Sequence, residues 1–196
     1  MNKGALEIPV GVSNRHVHLT QEHLEQLFGP GYELTPWKDL GQPGQYACKE
    51  VVSVVGTKGI IDNVRVLGPV RQYTQVEISR TDAIYLGLNP PVRPSGDLKG
   101  SSPITLVGPK GTLVLPEGCI VANRHVHMSP SDAQRFGLQD NDLIQVEVLG
   151  EKSLIFNNVQ VRVKDNFRLE MHLDTDDANA SGITTGAAAR ILGKQK

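Results

Sequence analysis

Along most of the chain, apolar positions recur in short β-branched runs broken by glycine and proline, and few stretches show a helical period. Residues 7–13 predict a short strand that leads into N-R-H-V-H. Thr20 is placed to cap a helix over Gln21–Phe28, which Gly29-Pro30-Gly31 would end. Residues 30–49 carry Pro36, Gly41, Pro43 and Gly44 and predict an irregular or hairpin insertion. From Glu50 onward V-V-S-V-V-G, I-I-D-N-V-R-V-L-G-P-V and Q-V-E-I predict antiparallel strands of a small barrel or sandwich. Residues 89–103 (N-P-P-V-R-P-S-G-D-L-K-G-S-S-P) read as a connector. A second set of strands follows it, and between them Ser129-Pro130 opens a helix that Gly137 closes. The Ala-rich tail, residues 177–192, predicts partial helix.

One stretch is written twice. Residues 12–19 read V-S-N-R-H-V-H-L and residues 121–128 read V-A-N-R-H-V-H-M, so four of the six histidines lie in two His-x-His pairs. In an extended strand, residues i and i+2 share a face, roughly 6.5–7 Å apart. His16 and His18 can therefore converge on one object while Val17 packs the other way, and His125, Val126 and His127 repeat the arrangement. Residues 77–87 (E-I-S-R-T-D-A-I-Y-L-G) and 172–182 (H-L-D-T-D-D-A-N-A-S-G) share D-A-x-x-x-G, which sets Glu77 opposite His172. Each half then holds three donors: His16, His18 and Glu77 in the first, His125, His127 and His172 in the second.

Three donors is the count of a catalytic metal, whereas a structural zinc is usually closed by four. Both sets suit Zn²⁺, although imidazole and carboxylate also accept Fe, Co, Ni or Mn. The carboxylate lowers the charge of the first set, so the all-imidazole set is expected to be the more electropositive and the better suited to an anion. Arg71 lies six residues before Glu77, an even spacing that would put its guanidinium on Glu77's face if one strand ran throughout. That fork suits phosphate oxygens, and Asn166 occupies the matching place in the second half. Arg15 and Arg124 should face away from the metals and form structural ion pairs. His23 is expected to be solvated, and Cys119 to be a buried, inert thiol.

Composition removes several alternatives. A net charge of −1 offers no basic field for nucleic acid or an anionic membrane. No run approaches the ~18 apolar residues of a spanning helix, and the N-terminus is no signal peptide. Two cysteines, Cys48 and Cys119, form no disulfide framework and suit a reducing compartment. The expectation is a soluble intracellular chain of one large or two small units.

These residues resemble the PduL-type phosphate acyltransferases (phosphate propanoyltransferases). The blocks are V-S-N-R-H-V-H-L, G-Q-P-G-Q-Y, Q-V-E-I-S-R-T-D-A, S-G-D-L-K-G, R-H-V-H-M-S-P and R-L-E-M-H-L-D-T-D-x-A-N-A, running from about Ile8 to about Gly186. The resemblance implies a mainly β protein of two small interleaved antiparallel β-barrels with short capping helices, related by internal duplication, with the active site where they meet. Residues 15–122 would form the first barrel half; residues 5–14 plus 123–192 would form the second. It also implies two Zn²⁺ per chain on the two donor sets, Arg71 as the phosphate arginine, coenzyme A as a substrate and a homodimer. The reaction would be acyl-CoA plus phosphate giving acyl phosphate plus CoA, by direct attack of phosphate on the thioester. Members bound for bacterial microcompartments often carry an extra amphipathic N-terminal segment. Here about seven residues precede the first strand, so a cytoplasmic location is expected, with the microcompartment lumen as the alternative.

Two other classes compete. A metal-dependent hydrolase of a small acyl substrate would use zinc-bound hydroxide and need no phosphate. A metal-binding module would hold metal without turnover and leave Arg71 without a role. Spacing alone identifies neither the CoA-contacting residues nor the acyl preference, since one methylene is worth only ~1–3 kcal/mol in a pocket.

Overall fold

A computed structural model of the chain describes residues 7–195; the start of the predicted second barrel half, residues 5 and 6, and the N-terminal residues read above against a signal peptide lie outside them. The fold is mainly β with four short helices. The chain divides into two compact units. One takes Glu7–Ser13, Gly41–Pro43 and the chain from Asn123 onward; the other takes Asn14–Leu40 and Gly44–Ala122.

The second of these units is built on β2 (His16–His18), β4 (Tyr46–Val55), β5 (Ile60–Gly68), β6 (Gln75–Glu77), β8 (Ser102–Val107) and β9 (Thr112–Ala122). They pair in the order β4-β5-β2-β6-β9-β8 and back to β4, a closed ring. Two further strands, β3 (Pro36–Asp39) and β7 (Val92–Arg93), attach to β4 and β9. The other unit closes β1 (Glu7–Ser13), β13 (Glu170–Asp174), β10 (His125–Met128), β12 (Leu154–Val163), β11 (Leu143–Val148) and β14 (Ala188–Lys194) into a barrel. In each ring the strand bearing the His pair runs parallel to one neighbour and antiparallel to the other.

The strand just before each His pair does not stay with it. β1 precedes His16 but pairs with β13 and β14, whereas β9 precedes His125 but pairs with β6 and β8. The exchange is therefore reciprocal.

Strand alternation fills each barrel. Val17 and Val76 are fully buried in one core and Val126 and Met171 in the other, with Val52, Val54, Val64 and Val66 or Ile144, Val146, Val159 and Val161 around them. The residues between these inward-pointing side chains, His16, His18, His125 and His127, consequently leave each barrel on its other face.

The helices follow one local grammar. His18-Leu19, Glu77-Ile78, His127-Met128 and His172-Leu173 each lead directly to an N-cap: Thr20, Ser79, Ser129 and Asp174. The helices α1 (Gln21–Phe28), α2 (Arg80–Leu86), α3 (Pro130–Phe136) and α4 (Thr175–Ser181) begin at the next residue. Glycines 87, 137 and 182 end the last three in the left-handed conformation, which costs glycine no Cβ clash. Each donor strand is thus pinned at its end by a capped helix.

Arg15 and Arg124 supply a second pin. Arg15 forks onto Asp82, with Nη2 at 2.7 Å and Nε at 2.9 Å, and Arg124 meets Asp177 at 3.2 Å. Both aspartates are the third residue of the helix after a donor strand. Burial pushes Asp177 up to about 6 despite Arg124, with Asp174 and Asp176 adding repulsion. Between pH ~4 and ~6 the folded chain holds that proton and the unfolded chain does not, so this contribution to stability falls as pH rises through the window. Asp177→Asn should therefore gain on the native chain from pH 4 to 6, by no more than about 3 kcal/mol, and run level above it. Denaturant unfolding of both proteins across pH would check it; a constant difference would show that Asp177 does not titrate there.

Two local expectations change. The strand predicted from Glu50 starts at Tyr46, where it pairs with β3 and β5. The Ala-rich tail is helical only over Thr175–Ser181; Ala188–Lys194 is strand β14, because it closes the barrel between β1 and β11. Pairing on both edges outweighs the weak helix preference of three alanines.

Candidate metal centres

The cross-strand register builds both donor sets. His16 lies directly opposite Glu77 on β6, and His125 directly opposite His172 on β13. Within each set, one ligand atom from every residue lies within 4.8 Å of the others: His16, His18 and Glu77 in one, His125, His127 and His172 in the other. The predicted third donors thus come together with their His pairs. Side-chain exposure is 10% for His16 and 12% for Glu77.

The first histidine of each pair is oriented by the same device. Nδ1 of His16 meets the Asn14 carbonyl at 2.8 Å, and Nδ1 of His125 meets the Asn123 carbonyl at 2.8 Å. A ring that donates from Nδ1 keeps its lone pair on Nε2, the form a metal ligand requires. The second histidines are different. His18 Nδ1 and both nitrogens of His127 are buried without a hydrogen-bond partner, and His127 stacks on Phe167 with centroids 3.9 Å apart. An unpaired buried nitrogen costs about 1–3 kcal/mol, so these orphans suit a cation.

The electrostatics agree with that reading. Burial pushes His127 down to about 2, helped by repulsion from His125 and His172. Burial also holds His18 well below the usual imidazole range, with His16 and Arg71 adding to the effect. Burial opposes the charged form of His16 as well, but Glu77, 3.5 Å away, and the Asn14 carbonyl outweigh it and raise its pKa. Burial thus favours the neutral imidazole at His18 and His127, whereas the Glu77 carboxylate favours the charged form of His16.

Arg71 reaches this neighbourhood by a different route from the expected one. β6 covers only Gln75–Glu77, and Arg71 lies in the irregular segment after β5, where Pro69 cannot donate to a ladder. Even spacing therefore says nothing about its direction. Its side chain donates to Gln45 Oε1 at 3.2 Å and approaches Ser95 Oγ at 3.5 Å. Ser95 also accepts from Gln75 Nε2 at 2.9 Å, and the same amide donates to Glu77 Oε1. The guanidinium is joined to the first donor set through Ser95 and Gln75; its charge adds to the lowering of His18 and opposes, without reversing, the raising of His16.

Gln75, Ser95 and Glu170 were not singled out from sequence. Gln75 and Glu170 each stand two residues before a third donor, the spacing that already marked the His pairs. Glu170 accepts from His172 Nε2 at 2.7 Å, and that hydrogen bond lowers its pKa. The second donor set therefore has a carboxylate beside it too, and the expected excess of positive charge there is offset.

Cys48 and Cys119 are both buried, and burial pushes each thiol up to about 12. Neither is a thiolate at neutral pH. His23, expected in solvent, hydrogen-bonds Thr74 Oγ1 at 2.7 Å. Among the described residues no helix is long and apolar enough to cross a membrane.

A family model of phosphate propanoyltransferases matches residues 9–184. The phosphate propanoyltransferase of Thermotoga maritima is 61% identical over 186 residues, covering 94% of this chain and 89% of the relative. That of Lachnoclostridium phytofermentans is 56% identical over 191 residues, 97% and 89% of the two chains. That of Salmonella typhimurium is 53% identical over 188 residues, 95% and 89%. With likeness over nearly its whole length and two duplicated donor sets in register, the chain belongs to the phosphate propanoyltransferase family.

Proposed function

We propose that this chain interconverts a short-chain acyl-CoA (propanoyl or acetyl) plus phosphate with acyl phosphate plus CoA, using one Zn²⁺ on each donor set. The observation that carries the reading is Arg71, tied through Ser95 and Gln75 to His16, His18 and Glu77. The relatives are phosphate propanoyltransferases, which supports phosphate and the propanoyl group as the reacting partners. Orphaned ring nitrogens on His18 and His127 support the metals.

Metal bound by His16, His18 and Glu77 or by His125, His127 and His172 would supply Lewis acidity of the kind that a departing thiolate and phosphate oxygens require. Arg71 presents two donors to the phosphate dianion, and Gln45 and Ser95 restrict where its fork points. A phosphate oxygen bonds to the thioester carbon, the carbon–sulfur bond breaks, and sulfur leaves with the electron pair as CoA thiolate. Cys48 and Cys119 are too buried and too weakly acidic to form an acyl-enzyme, which favours direct attack.

Thiol release from propanoyl-CoA, followed with and without phosphate, tests the reading. It is expected only with phosphate, to vanish on chelation and to return with zinc. Release without phosphate would favour a metal-dependent hydrolase.

A further inference from the structure

Position for position, Glu170 in β13 is the counterpart of Gln75 in β6: the first lies opposite His127, the second opposite His18. Each contacts the third donor two residues on. Gln75, an amide, donates to the Glu77 carboxylate; Glu170, a carboxylate, accepts from the His172 ring. The pairing is inverted: the carboxylate is the third donor in the first set and the partner of the third donor in the second.

The carboxylate of Glu170 sits in a fitted slot. A Cβ at Gly41 would lie 2.6 Å from Oε2 and 2.9 Å from Oε1, and one at Gly11 would lie 3.1 Å from Oε1. Gly11 is the neighbour of His172 across the parallel β1–β13 pair. Gln42, only 7% exposed, donates Nε2 to Glu170 Oε2 at 3.1 Å and is itself held by the Arg168 backbone, N–H and carbonyl, at 3.1 Å each. The Gly41-Gln42 excursion thus serves a residue more than a hundred positions away.

We propose that Glu170 is the positioning residue of the three-histidine metal centre, an inference that rests on the metal reading above. It holds His172 by Nε2–H, which leaves the ring's lone pair on Nδ1 for the metal, and it adds the negative charge that three imidazoles lack. Gly11, Gly41 and Gln42 exist to keep that carboxylate in place. Outer carboxylates on ligating histidines typically alter metal affinity by about 10–100-fold.

Metal-stripped native protein, Glu170→Gln and Gly41→Ala are titrated with Zn²⁺ against a chromophoric chelator, and their Co²⁺ absorption spectra are recorded. His127→Ala identifies which of the two native affinities belongs to the three histidines. In Glu170→Gln that affinity is expected to weaken about 10–100-fold, with the other unchanged and the Co²⁺ bands of the weakened site shifted. Gly41→Ala, whose methyl would occupy the carboxylate's place, should weaken the same site. Native affinity in Glu170→Gln, or equal loss at both sites, would overturn the proposal. Native protein that takes up no metal would instead remove the metal reading, and the proposal with it.

Discussion

Arg71→Ala is expected to lose about 10²–10³-fold in phosphate-dependent thiol release, the scale for removing one preorganised donor from developing charge. The loss should fall on turnover and on the phosphate KM together, while two metals per chain are retained. Retention of metal is the discriminating part, because Arg71 is not itself one of the three donors and is joined to them through Ser95 and Gln75. Arg71→Lys should recover only a small share of the rate, since a point charge cannot reproduce a planar fork held by Gln45. Native-like phosphate dependence in Arg71→Ala would remove the guanidinium from the reaction and leave it a structural ion.

His127→Ala should abolish acyl transfer and halve the metal content, with no rescue by added zinc. Its stability separates a ligand from an ordinary core histidine. In the metal-free native chain, both His127 nitrogens are buried unpaired, at about 1–3 kcal/mol each. Removing them offsets the packing lost against Phe167, so the metal-free variant should unfold close to the metal-free native chain. The difference should appear on adding zinc, which stabilises only an intact site, by about 4 kcal/mol at a thousandfold excess over Kd. Calorimetry of both proteins with and without zinc would check this. A large loss in the metal-free variant, with metal content unchanged, would make His127 a packing residue.

The donor sets were legible because strand geometry has a period of two and the chain states its pattern twice. His16 and His18 needed only alternation, while Glu77 and His172 emerged from the shared D-A-x-x-x-G, whose glycine ends a helix in both copies. The helices over Gln21–Phe28 and Pro130–Phe136 were legible through Thr20, Ser129 and their closing glycines. Arg71 lies near the first donor set, but not for the reason of parity, which holds only along an unbroken strand, and β6 is three residues long. Strand β14 was hidden because closure of a barrel is a non-local demand that three alanines do not advertise. Glu170 was hidden for a different reason. A glutamate on a strand looks like a surface carboxylate until the chain from Gly41 to Pro43 is folded against it.

The reciprocal exchange of β1 and β9 has a consequence for how the chain is made. β1 is made before the other described strands, yet its partners β13 and β14 follow all of them. The barrel that holds the three histidines therefore has no closed form until β14 has been made. The other ring needs nothing beyond Ala122 and can close while the rest is still being made. A cut between residues 122 and 123 leaves the upstream piece with every strand of its own ring plus one unpaired edge, β1. The downstream piece is a five-stranded fragment lacking that same strand. Such a split pair should reassemble by strand donation in one direction only.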